Sequence, residues 1–300
     1  MAVTPDLSRY PTPAEAEAWI DALLEETENI SVTAEFLPAR GFQFHMGSFN
    51  VRNCGYVRMN TSDGQTFYCY YDRVPQGPAP LIVHTPGYNS EVSTHHMLKM
   101  EGFNVLHVDP LGYLTPEGPD ESKKRDGGWP VLQDTVESFG ARGYRDWMRN
   151  CILAVRWAMA REENLPGRVS FFGTSQGGMG SLVLASVFAG RGARCVCADV
   201  PYLQNLGMGC YDPGFSRTEE PERAFRALAM YDGMTHRERL SALPVLLTAG
   251  GKDEVCPPQT ISALFDALTG TKSLTYLADS VHCYTEEFIY LAKAWLRMYA

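Results

Sequence analysis

From residue 78 onward the apolar positions fall into short unbroken runs, at 81–84, 103–108, 169–172, 195–198, 245–248 and 274–277. Runs of this length, rich in Val, Leu and Phe and lacking polar alternation, suit strands buried on both faces. Stretches of helical spacing lie between or after them, at 142–161, 177–189, 259–268 and 285–299. Strands alternating with helices in this way predict an α/β fold: a mostly parallel central sheet with helices on both faces. The N-terminal part reads differently. Residues 32–74 are β-like, with 55–59 and 65–74 flanking the turn-forming run Asn60, Thr61, Ser62, Asp63, Gly64. That pattern predicts an antiparallel meander. Ahead of it, Thr12 can cap a helix that starts at Pro13, and Glu15 can close the capping box. Trp19, Ile20, Leu23 and Leu24 then share one apolar face, for packing against the body or a second subunit.

The meander carries too little helix to bury itself, so a single domain over residues 1–300 is expected, with residues 1–30 as a helical extension. Two segments read as long loops, 112–140 and 203–223, both rich in Gly and Pro. Each follows a strand, so both are expected over the C-terminal edge of the sheet, where open α/β folds bind ligands.

Composition narrows the classes. The 300 residues carry a net charge of −9 with no basic block, which argues against nucleic acid or an anionic membrane as partner. No apolar run approaches the ~20 residues of a membrane span. Residues 1–6 lack the basic and apolar regions of a signal peptide. The eight cysteines form no Cys-x-x-Cys and no cluster with histidine at zinc-finger spacing. Scattered thiols fit a cytoplasmic protein, and neither a metal nor a cofactor is expected.

The candidate chemistry centres on Gly173-Thr174-Ser175-Gln176-Gly177, which ends a strand-like run and opens a helix-like one. This is the pattern of a nucleophile elbow: a strained turn exposes the serine, and glycines two residues to either side avoid collision. A glycine-rich turn with a surface serine is the plain alternative. A serine nucleophile needs a base and a group to orient that base, and in this fold the order is Ser, acid, His. Only His236 and His282 follow Ser175. His236 lies in a polar stretch that reads as a solvated surface. His282 comes between the last strand and the last helix, where a side chain can reach the sheet edge. Asp253, after the strand at 245–248 and the Gly250-Gly251 turn, is the candidate acid. Asp279 lies only three residues from His282, and Asp232 precedes the strand. Oxyanion donors are expected from the backbone N–H groups of Gln176, at a helix N-terminus, and Tyr88, in the loop after the strand at 81–84. The Tyr88 ring would also wall the acyl pocket.

Gly173-Thr174-Ser175-Gln176-Gly177-Gly178 resembles the Gly-x-Ser-Gln-Gly-Gly signature of the acetyl xylan esterase / cephalosporin C deacetylase family, α/β-hydrolases that remove acetyl groups from acetylated sugars and related esters. Gly87-Tyr88-Asn89 is similar to that family's oxyanion loop, Tyr231-Asp232 to its Tyr-x-Asp segment, and Asp253-Glu254-Val255-Cys256-Pro257-Pro258 to its acid-bearing Asp-x-x-Cys-Pro-Pro. The resemblance implies an α/β-hydrolase fold, a triad of Ser175, His282 and Asp253, oxyanion donors Gln176 and Tyr88, a small acetyl ester as substrate, and a homo-oligomer. The chain departs from the family where Pro110-Leu111-Gly112-Tyr113 replaces Arg-Gly-Gln, where Cys283 follows His282 in place of Glu, and across 115–138. The function expected is a metal-free serine esterase acting on acetylated sugars. Another hydrolase chemistry (a peptidase or a longer-chain acyl esterase) and a catalytically inactive sugar-binding module are the alternatives.

Overall fold

The computed structural model describes residues 6–37, 54–90, 95–113, 115–210 and 212–300. Among these described residues nine strands pair into one sheet: β1 (Val32–Phe36), β2 (Cys54–Thr61), β3 (Thr66–Asp72), β4 (Ala79–Thr85), β5 (Asn104–Asp109), β6 (Asn164–Thr174), β7 (Ala193–Asp199), β8 (Val245–Gly250) and β9 (Lys272–Leu277). Their order is β1-β2-β3-β5-β4-β6-β7-β8-β9. β1 to β3 pair antiparallel and β3 joins β5 antiparallel, while β5, β4 and β6 to β9 run parallel. The meander is therefore an extension of the main sheet, which supplies the burial it lacks alone. The part of its expected span at 38–53 lies outside the described residues.

The helices are α1 (Pro13–Glu28), α2 (His96–Met100), α3 (Val131–Glu137), α4 (Tyr144–Met159), α5 (Gln176–Phe188), α6 (Pro221–Ala229), α7 (Arg237–Leu240), α8 (Pro258–Ala267) and α9 (Glu286–Tyr299). α4, α5 and α8 cover one face of the sheet, and α2 and α9 the other. β5, β4, β7 and β8 are buried almost throughout because both their faces are covered. α1 begins with the expected capping box between Thr12 and Glu15. It buries Ile20 and Leu23 against the body and is tied there by Arg145–Glu26, Arg226–Glu15 and Arg239–Glu17 ion pairs. No helix among the described residues is long and apolar enough to cross a membrane.

From β4 the chain passes to β5 on one side and returns to β6 on the other. The loops after β4 and β6 therefore diverge and leave a crevice at the C-terminal ends of these strands. Two backbones must come close there. A Cβ on Gly177 would stand 2.0 Å from the Thr85 carbonyl oxygen, and one on Gly173 would stand 2.4 Å from the carbonyl oxygen of Gly177.

One expectation is corrected. His236 is buried: its Nδ1 accepts from Ser186 Oγ at 3.0 Å and its Nε2–H donates to the Met230 carbonyl at 2.8 Å. Burial lowers its pKa to about 4, so the neutral ring bridges α5 to the turn after α6; the charges of Arg237, Glu238 and Arg239 around it hid this. None of the described residues of the segment 203–223 lines the crevice. Its residues pack toward the N-terminus, where buried Asp232 accepts from Tyr10 Oη at 2.7 Å and the Leu206 N–H at 2.9 Å, and the Gly207 N–H donates to Tyr10 Oη at 2.9 Å. α6 begins within the same segment at Pro221.

Gly177→Ala cannot be absorbed without separating β4 from α5. It is expected to lower stability by about 1–3 kcal/mol or more, measured as a shift of the urea midpoint relative to wild type. An unchanged midpoint would show that the two backbones are not in contact.

Candidate active site

Ser175 lies between β6 and α5 with φ 57° and ψ −120°. A non-glycine residue at positive φ costs on the order of 1–3 kcal/mol and persists only where its surroundings hold it. Here the Ser175 N–H donates to the Asp199 carbonyl at 2.9 Å, and its own carbonyl accepts from the N–H groups of Tyr202 at 3.0 Å and Met179 at 3.0 Å. Both sides of the turn are thereby anchored, one to the end of β7 and one to the first turn of α5.

The hydroxyl so exposed meets an imidazole. His282 Nε2 is 3.0 Å from Ser175 Oγ, and His282 Nδ1 is 2.8 Å from Asp253 Oδ2. With the ring proton on Nδ1, the serine donates to Nε2 and the ring donates to the carboxylate. The His282 side chain is 26% exposed and that of Asp253 is fully buried, so the ring faces the solvent cleft and the carboxylate backs it. The other oxygen of Asp253 accepts the N–H groups of Val255 at 2.9 Å and Cys256 at 2.8 Å. These bonds fix the orientation of the carboxylate. Asp279 instead lies at the surface, paired with Lys252 at 2.7 Å.

Gln176 is the first residue of α5, where N–H groups have no acceptor within the helix. The loop carrying Tyr88 is close by: a Cβ on Gly87 would stand 3.9 Å from Ser175 Cβ. The Gln176 side chain is buried and donates from Nε2 to Tyr113 Oη at 2.8 Å. Tyr113 comes from the segment that departs from the Arg-Gly-Gln pattern, and it braces the residue next to the serine.

A cleft of about 780 Å³ opens above Ser175 and His282. Tyr88, Tyr202 and Tyr284 line it, together with Arg125, Asp126 and Trp129 from the 112–140 segment. That segment is fastened to the Tyr88 loop: Tyr88 Oη accepts from the Trp129 N–H at 2.9 Å and donates to its carbonyl at 3.2 Å, while Trp129 Nε1 donates to Asn89 Oδ1 at 2.8 Å. The segment also holds α3, which its Gly and Pro content concealed. No described residue of 203–223 lines the cleft.

Two buried groups stand at the site to which the sequence reading gave no role, Cys256 and Asp199. Cys256 Sγ lies with nitrogen and oxygen atoms of His282 and Asp253, all within 4.8 Å of one another. Burial and the Asp253 charge push the thiol well above its usual range, so it stays S–H and is a poor metal ligand. Asp199, at the end of β7, accepts from Thr174 Oγ1 at 3.0 Å and from the Thr248 hydroxyl. Burial raises its pKa to about 6. No motif marks it; its position at a buried strand end, one strand from the serine, is the only signal.

The description "Acetyl xylan esterase (AXE1)" belongs to the family profile that matches residues 7–208 and 210–297. An acetyl esterase of Xylanibacter ruminicola, Axe7A, is 27% identical over 267 residues, covering 82% of this chain and 59% of that protein. The chain thus spans about three fifths of the length of this curated relative. Acetyl xylan esterase 1 from Thermoanaerobacterium sp. JW/SL YS485 superposes with a TM-score of 0.76 at 19% identity, covering 100% of this chain and 96% of the other. The acetyl xylan esterase of Paenibacillus sp. R4 gives 0.74 at 20% identity, covering 99% and 98%. At these identities the superpositions show a shared α/β-hydrolase fold.

Asp199 supplies a pH test. Its pKa stands near 6 folded, against an ordinary 3.8, so the folded state binds the extra proton. The resulting stabilisation is complete below the lower value and is lost as pH rises through 6. Wild type should therefore gain stability relative to Asp199→Asn as pH falls from 7.5 to 4.5, as read from urea unfolding at the two pH values. A difference independent of pH would mean that this carboxyl titrates normally.

Proposed function

The chain belongs to the acetyl xylan esterase family, and from that premise we propose that it is a serine esterase that removes acetyl groups from acetylated sugars, with Ser175, His282 and Asp253 as its catalytic triad. The observation that carries the reading is the hydrogen-bonded relay from Ser175 Oγ through His282 to buried Asp253 at the floor of an open, aromatic-lined cleft.

Ser175 Oγ attacks the acetyl carbonyl carbon while His282 Nε2 takes its proton. The tetrahedral oxyanion receives hydrogen bonds from the N–H groups of Gln176 and Tyr88. Asp253 stabilises the imidazolium and keeps its Nδ1–H directed inward. The imidazolium then protonates the sugar oxygen as the C–O bond breaks, leaving an acetyl-enzyme. A water deprotonated by His282 attacks that ester and releases acetate, restoring the serine. Each oxyanion donor contributes about 3 kcal/mol to such a barrier, and the Tyr113–Gln176 contact keeps one of the two in place.

The cleft supports a carbohydrate leaving group. Tyr88, Trp129 and Tyr284 offer flat faces for the apolar faces of a sugar ring, and Arg125 and Asp126 offer charged partners for its hydroxyls. Such a mixture of aromatic wall and few polar groups suits a ligand that is itself amphipathic. The thiols support the cytoplasmic reading: Cys69, Cys151, Cys195, Cys197 and Cys256 are buried and free, a state that a reducing compartment preserves.

Ser175→Ala should lower kcat on p-nitrophenyl acetate by at least about 10⁴-fold and abolish labelling by a fluorophosphonate. Retained turnover would remove Ser175 as nucleophile, and a wild-type protein that does not label would favour an inert binding module. In a series of p-nitrophenyl esters kcat/KM should fall beyond the shortest acyl chains; a preference for chains longer than butyryl would point to a different esterase.

Trp129→Ala should raise KM for acetylated xylo-oligosaccharides roughly tenfold, about 1.4 kcal/mol, with a smaller change for p-nitrophenyl acetate. Equal changes for both substrates would place Trp129 outside the sugar site.

A further inference from the structure

Three histidines that take no part in the Ser175 relay meet inside the protein. His84 and His107 are register partners on the adjacent parallel strands β4 and β5, so their side chains leave the sheet on the same face. His95 immediately precedes α2 and returns over them. All three are buried. Ring nitrogens, one from each, lie within 4.8 Å of one another, and the Nδ1 atoms of His84 and His107 are 3.0 Å apart. The His84 ring centroid lies 4.6 Å from that of His95 and 5.0 Å from that of His107. Phe172 packs against both His84 and His95, and Tyr70 against His107.

Burial and the two neighbouring rings hold the His84 pKa well below the ordinary histidine range. A neutral imidazole has one nitrogen lone pair in its plane, and three such nitrogens converge here. In a tetrahedral zinc site the metal–nitrogen bonds are about 2.0–2.1 Å, which sets two ligand nitrogens roughly 3.3 Å apart. The His84–His107 pair needs only a few tenths of an ångström of spreading to match. Binding through both Nδ1 atoms requires each ring to carry its proton on Nε2, a change of tautomer in one ring with no change in net charge. An all-imidazole donor set selects zinc, copper, nickel or cobalt over magnesium and calcium. A second cleft of about 240 Å³ between α2 and α9 reaches the trio at His95, and Phe172, Tyr284 and the exposed Glu286 also line it.

We propose that His84, His95 and His107 form a binding site for one divalent transition-metal ion, with zinc as the best fit. The site is structural. Its ion would tie β4 and β5 to the start of α2, and so hold both ends of the connection that carries Tyr88. The three residues stand 11 and 12 positions apart in the chain, a spacing that matches no short metal motif, which is why only the folded chain discloses them.

The test uses the full chain, stripped with a chelator and titrated with Co²⁺ alone. The expected result is one equivalent bound, with visible ligand-field bands of a four-coordinate nitrogen site and no thiolate charge-transfer band, and displacement by Zn²⁺. His107→Gln and His95→Ala should each abolish these bands while leaving fluorophosphonate labelling of Ser175 unchanged. His95 makes no side-chain capping bond to α2, so His95→Ala decides the matter if His107→Gln fails to fold. Zn²⁺ should also raise the Tm of wild type by several degrees and leave that of His95→Ala unmoved. Absence of ligand-field bands in wild type, a thiolate band in their place, or bands that persist in His95→Ala would overturn the proposal and leave the trio as a hydrogen-bonded packing element.

Discussion

The site depends on a contact between two backbones. The end of β4 and the first turn of α5 approach so closely that no side chain fits at Gly173 or Gly177. Thr85 completes the contact, donating its hydroxyl to the Gly177 carbonyl at 2.6 Å and meeting Ser181 Oγ at 2.8 Å. Because β4 and β6 are neighbours at the point where the strand order reverses, this contact brings the Tyr88 loop beside Ser175. The strained backbone of Ser175 is held by bonds to the end of β7, so the geometry of the turn is set by three strands at once.

Electrostatics follow from where the strands end. Asp199 and Asp253 both stand at C-terminal strand ends and both are buried, yet they meet different partners. Asp253 receives two backbone N–H groups and an imidazole, which fix its orientation. Asp199 receives only hydroxyls, and burial dominates, raising its pKa to about 6. One strand end thus places an oriented carboxylate behind His282. The other places a more easily neutralised carboxyl under the serine turn.

The departures from the family pattern lie around the cleft. Tyr113 occupies the segment where the family has Arg-Gly-Gln, and it contacts both Gln176 and the ring of Trp129, whose centroid is 4.9 Å away. Trp129 in turn locks the 112–140 segment onto Tyr88 and Asn89. The altered residues therefore form one connected aromatic layer beside the serine. On the opposite face of the sheet the three histidines hold the other end of the same connection, between β4 and α2.

The sequence by itself determined the strand–helix alternation, the parallel sheet with its antiparallel meander, and the three residues that meet at its edge. Each of these is recorded locally, in apolar runs of strand length, in glycines flanking a serine, and in the order of Ser175, Asp253 and His282. What only the tertiary structure decided was what distant segments do to one another. His236 looked solvated because its chain neighbours are charged, but the end of α5 and Trp19 of α1 cover it. The packing of the 203–223 segment was equally hidden: Asp232 and Tyr10 draw it toward the N-terminus. Asp199 and the three converging histidines carry no motif, because burial and proximity are properties of the packed chain, and single positions in a sequence do not encode the distance between side chains that meet only when the sheet closes.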